Sequence, residues 1–244
     1  MLVRGAWRVA RIAGIDINVH WSFSFLVLWL ILHSAFGRQP WQQVIFVSLA
    51  ILLLFGCVAL HELGHALTAR WLNVAVKNVL ILPIGGLVQV QSVPEKPLLD
   101  FSIAAAGPLV NLVLAVGCAL LLLAIGEVRL VVGFMTSPTT VIEAIALSPF
   151  RQDIVVGLLI FLLLANLILF IFNLIPAFPM DGGRIMRALL SLILPYQWAS
   201  AIAGGLGRLV AVLLILAAFS LKSWGLLVVG GLVLLTGYLM KVER

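Results

Sequence analysis

Charge is scarce in this chain. Only 10% of its 244 residues are Asp, Glu, Lys or Arg, while 64% are hydrophobic; ordinary soluble domains carry about 25% charged residues. With a mean hydropathy of +1.24, this excludes a soluble globular domain. Cysteine is almost missing: Cys57 and Cys118 stand in apolar runs, so there is no disulfide framework and no redox compartment to infer. No internal repeat, low-complexity tract or cleavable signal peptide is evident, the first apolar run lacking a small-residue cleavage site after it.

Acidic residues are few as well, 9 against 15 Lys and Arg, for a net charge of +6. That balance suits nucleic acid in principle. Here the basic residues are scattered at the borders of apolar runs rather than gathered on one stripe with interleaved aromatics, which excludes that partner. They read as topology signals in a lipid bilayer.

What is present is a series of apolar stretches, several reaching the roughly 20 residues a bilayer crossing needs. The fold class expected is a polytopic α-helical membrane protein, one domain over residues 1–244. Its helices are expected over residues 21–36, 43–71, 98–125, 154–175, 198–220 and 224–240, with a short helix over 183–194. A small β-region near the cytosolic border is expected over residues 14–20, where Ile15, Ile17 and Val19 alternate with Asp16, Asn18 and His20, and over 74–91, around Gly85-Gly86. A loop through Pro138 and Pro149 is moderately polar. Six crossings put both termini on one side. With the termini inside, Arg4, Arg8, Arg11, Arg70, Lys77, Lys96, Arg184, Arg187, Lys241 and Arg244 face inward, against Arg38, Arg129, Arg151 and Lys222 outside, Arg208 being left uncounted. This excess places both termini in the cytosol.

Within the second helix stands His61-Glu62-Leu63-Gly64-His65. Residues four apart on an α-helix lie about 40° apart around its axis, so both imidazoles leave one face and can grip one metal ion, with Glu62 beside them. An ionisable group at the bilayer centre costs roughly 2.5–3.5 kcal/mol and marks a functional site. The other reading is a pair of packed histidines. His65 lies five residues before Arg70, about 8 Å along the axis, so the metal belongs near the cytosolic edge. Cys57, one turn before His61, is a small packing residue or a metal-linked thiol.

A catalytic zinc uses three protein ligands and one open position. Glu95, Asp100, Glu127, Glu143, Asp153 and Glu243 fall in loops or at helix ends, and Asp16 in the N-terminal strand. Asp181 stands in the broken run Pro176-Ala177-Phe178-Pro179-Met180-Asp181-Gly182-Gly183, where irregular backbone at membrane depth builds sites. Asp181 is the expected third ligand to Zn2+; a helix N-cap is its alternative. Zinc in such a set makes water acidic near neutral pH and polarises a carbonyl, and Glu62 is placed to take a proton from attacking water and pass it to a leaving amine.

These motifs resemble the site-2 proteases, zinc proteases that cut within the membrane. Their H-E-x-x-H matches His61 to His65; their N-x-x-P-x-x-x-x-D-G reads as Asn173, Pro176, Asp181 and Gly182; their G-x-x-x-[NSG] reads as Gly107 to Asn111. Order and rough spacing agree from about Ile12 to Leu221, and Gly14 to His20 is similar to the opening of the branch without a PDZ domain. The resemblance implies Asp181 as third ligand, transmembrane segments of other proteins as substrates, a prokaryotic cell membrane as location, and a catalytic role for Asn111 on substrate or oxyanion; interhelical hydrogen bonding is the other reading of Asn111. Asn173 is expected to brace the broken segment and Asn166 to bond between helices. Substrate helices must unwind to expose a peptide bond, and Ile84 to Gln91 is the expected strand edge to hold them; a structural hairpin is the alternative. The branch often adds a C-terminal pair of cystathionine-β-synthase-type domains, whereas this sequence stops at Arg244; either the member lacks them or the chain is cut. A metal transporter and an inactive scaffold are the rival functions. The transporter needs polar sites through the full bilayer, and here the ionisable residues gather at one depth. Oligomeric state leaves no mark in the sequence.

Overall fold

The structure is a computed structural model, and it describes residues 5–37, 40–83, 85–90, 96–129, 132–133, 154–178, 180–225, 227, 230–231 and 233–234. Strands β1 (Ala6–Ile12) and β2 (Ile15–His20) precede helices α1 (Phe23–Gly37) and α2 (Trp41–Trp71). Strands β3 (Val76–Leu82) and β4 (Gly85–Val90) follow. Helices α3 (Pro97–Ala124), α4 (Ile154–Leu174), α5 (Asp181–Leu190) and α6 (Tyr196–Ser220) complete the described elements. The expected loop through Pro138 and Pro149, and most of the helix expected over residues 224–240, lie outside the described residues.

Proline starts three of the helices. Pro40 and Pro195 sit at the N-cap positions of α2 and α6, and Pro97 opens α3, where a missing N–H leaves no bond unmade. Among the described residues, α2, α3, α4 and α6 are long and apolar enough to cross a membrane. Helix α2 has 31 residues, about 46 Å against a hydrocarbon core of about 30 Å. Its end tryptophans, Trp41 and Trp71, are exposed, as residues at a membrane–water boundary are. Helix α1 has 15 residues, about 22 Å, and its apolar part is shorter than a span.

The four strands form one sheet in the order β1-β2-β3-β4, with β2 parallel to β3 and the outer pairs antiparallel. The N-terminal stretch, expected to be strand only from residue 14, is a hairpin from Ala6 onward. Its two-residue turn, Ala13-Gly14, takes φ of 47° and 76°. Positive φ at both central positions is the type I′ geometry that matches strand twist. One sheet face lies on α2 through Ile15, Ile17, Val79, Ile81 and Ala66. On the other side of the motif, α3 packs along α4 through Ala115, Leu122, Val156, Ile160 and Leu163. The sheet, α3 and the α4–α5 break thus surround the last third of α2.

Candidate metal centre

His61 and His65 leave α2 on one face and are both buried. Asp181 reaches them from the first turn of α5. Its Oδ2 lies 3.1 Å from each Nε2, and the two Nε2 atoms are 3.2 Å apart. Tetrahedral N and O ligands at about 2.0–2.1 Å from a metal stand about 3.3 Å from one another. The triangle therefore has the dimensions of three corners of such a site, and these residues could hold one metal ion.

The position of Asp181 follows from the break before it. After α4 the chain turns back on itself through the Ala177 N–H to Ile175 carbonyl and Met180 N–H to Ala177 carbonyl bonds. A Cβ on Gly182 would collide with the Leu174 and Ile175 carbonyls, so glycine is what permits the return. The N-cap of α5 is Met180, and no side chain caps the helix. Asp181 is then not a cap: its carboxylate turns to the imidazoles.

Helix α3 closes the site from the opposite side. A Cβ on Gly107 would run into the rings of both His65 and His61, so the glycine sets how near α3 can come. Next to it, Pro108 has no N–H to give the Ala104 carbonyl. The Nδ1–H of His65 donates to the Ile103 carbonyl at 2.6 Å. Asn111 is wholly buried with its side-chain amide 3.0 Å from His61 Nδ1.

Glu62 is half-buried, with its carboxylate against β4: a Cβ on Gly86 would overlap its Cγ, Cδ and Oε1. Asn166 donates to Cys57 Sγ at 3.3 Å and to the Leu162 carbonyl at 2.8 Å, joining α4 to α2 one turn from His61. Asn173 donates to Leu169 at 3.0 Å, back along its own helix.

Two groups escaped the sequence reading. Asp100, 2% exposed, accepts from Arg184 at 3.2 Å and from Arg187 at 2.6 and 3.2 Å, tying α5 to the start of α3. Arg187 also lies over the rings of Phe178 and Tyr196. The second group is the Ile103 carbonyl, which has no side-chain signature at all.

Buried ligands on a lipid-spanning helix, closed by a small sheet and a broken segment, define a membrane-embedded metalloprotein. Residues 49–218 match Peptidase family M50, and the chain belongs to that family, the site-2 proteases. It is 35% identical to a zinc metalloprotease of Methanocaldococcus jannaschii over 91% of this chain and 56% of that protein. It is 30% identical to stage IV sporulation protein FB of Bacillus subtilis over 62% of this chain and 43% of that one. The chain thus spans about half the length of the curated relatives it matches. The solved site-2 protease from Methanocaldococcus jannaschii superposes with a TM-score of 0.59 at 27% identity, covering 96% of this chain and 94% of that one.

Proposed function

We propose that this protein is a zinc-dependent endopeptidase that hydrolyses peptide bonds within or next to transmembrane segments of membrane-protein substrates, as in regulated intramembrane proteolysis. The observation that carries the reading is the triangle of His61 Nε2, His65 Nε2 and Asp181 Oδ2, with sides of 3.1, 3.1 and 3.2 Å, on a helix of membrane-spanning length. These three residues would hold one Zn2+ per chain. When bound, zinc supplies a Lewis acid that acidifies water and polarises the scissile carbonyl.

Glu62 is the general base. It takes a proton from the attacking water as the water oxygen bonds to the carbonyl carbon. It then returns that proton to the amide nitrogen as the C–N bond breaks. Glu62 lies against Gly86 of β4, the end strand of the sheet among the described residues. A substrate segment unwound from its helix could pair with that edge, which no strand covers among the described residues, and so bring a peptide bond past Glu62. Ile84 and Gln91, the ends of the stretch expected to do this, lie outside the described residues.

The excess of basic residues in the inward segments supports both termini in the cytosol, with the protein in a prokaryotic cell membrane. Ionisable residues gathered at one depth favour hydrolysis over transport. The test is to co-express single-pass membrane proteins with wild-type and Glu62→Gln enzyme and map the cuts. Cleavage by the wild type alone is expected; equal cleavage by both would remove Glu62 from the chemistry.

A further inference from the structure

The two imidazoles differ in what faces the nitrogen turned away from the ligand triangle. For His65 it is the Ile103 carbonyl, 2.6 Å from Nδ1. A carbonyl only accepts, so the His65 proton sits on Nδ1 and the Nε2 lone pair points into the triangle. For His61 it is the Asn111 side-chain amide, set with Nδ2 3.0 Å from Nδ1. Asn111 Oδ1 is buried and has no hydrogen-bond partner among the described residues.

An amide has a donor end and an acceptor end of nearly the same shape. The surroundings of Asn111 fix the place and plane of the group; hydrogen-bond chemistry decides which end meets the ring. With the nitrogen toward the ring, Nδ1 accepts, the proton moves to Nε2, and His61 has no lone pair for a cation. With the oxygen toward the ring, Nδ1–H donates to it and Nε2 is free. In the recorded orientation Oδ1 is left unpaired, and turning the amide over brings that acceptor to the ring. Metal-ligating histidines nearly always donate their second N–H to an acceptor.

Resting on the metal reading above, we infer that Asn111 is a positioning residue whose Oδ1 accepts from His61 Nδ1–H and so holds that ligand in its metal-binding tautomer. Helix α3 thereby orients both rings from a single stripe. Ile103, Gly107 and Asn111 are spaced four apart, and His61 and His65 are four apart on α2. One stripe supplies a carbonyl for His65, a glycine gap for the ring edges, and a side-chain amide for His61. A role on substrate would ask the same amide to reach open space, and Asn111 is 0% exposed.

The experiment is Zn2+ affinity by chelator competition on purified, detergent-solubilised wild type, Asn111→Leu and Asn111→Asp, with thermal stability measured in excess chelator. Leucine keeps the bulk and loses the acceptor, while aspartate keeps an acceptor oxygen. Asn111→Leu should bind zinc about 10–100-fold more weakly, and Asn111→Asp should recover affinity to within about threefold of wild type. Asn111→Ala takes the place of the leucine variant if the latter does not fold. Unchanged affinity in Asn111→Leu, with or without a loss of stability, overturns the inference. So does an equal loss in Asn111→Asp. Wild type that binds no zinc overturns the metal reading itself, a result separate from either of these.

Discussion

Arg187 grips Asp100 with two donors, Nη2 at 2.6 Å and Nε at 3.2 Å. The pair links α5, which carries Asp181, to the start of α3, which backs both histidines. Arg184 adds a third bond to the same carboxylate at 3.2 Å. The side chain of Asp100 is 3% exposed, that of Arg187 12% and that of Arg184 25%. Removing one partner of a buried ion pair costs about 3–5 kcal/mol because a charge is left without its counter-ion. Arg184 can turn toward solvent, so Asp100→Ala should fall at the low end, about 3 kcal/mol. Thermal unfolding of the purified variant checks this; a midpoint equal to wild type would mean the clamp is not structural.

Glu62→Gln removes the proposed base but leaves the three proposed ligand atoms in place. Peptide hydrolysis should fall at least about 10²–10⁴-fold, the usual contribution of a general base, with the metal content unchanged. Product formation and metal analysis on one preparation separate the two. A variant that loses its metal along with its activity would place Glu62 among the ligands.

Two glycines should fail in different ways. A methyl group at Gly107 meets both imidazole rings first, and one at Gly86 meets Glu62 first. Gly107→Ala should weaken metal binding, with about 1–3 kcal/mol of overpacking at the ring contact. Gly86→Ala should keep the metal and lose turnover, since the carboxylate is pushed off its place. Identical metal content and activity profiles in the two variants would contradict the separate placement of base and ligands.

The pairing of His61 with His65 was legible because four residues is one helical turn, so sequence spacing alone puts both rings on one face. Asp181 was legible from the Pro and Gly residues around it, which mark backbone that cannot continue a helix. The first hairpin was not: Arg8 and Arg11 hide the alternation, and Ala13-Gly14 lacks the Asn-Gly pair that usually announces a type I′ turn. The Asp100 clamp joins residues 84 and 87 positions apart, a separation no local pattern encodes. The Ile103 carbonyl is backbone, identical at every position until the fold aims it. Steric clearance at Gly86 and Gly107 is likewise visible only once two elements are set side by side.

The most direct test of the account is the metal content of purified wild type and Asp181→Ala, with X-ray absorption to define the coordination. The account predicts one zinc per chain in the wild type, bound by nitrogen and oxygen at about 2.0–2.1 Å, and a large loss of zinc in Asp181→Ala. Wild-type protein without a divalent cation, or a variant with undiminished zinc, would contradict it.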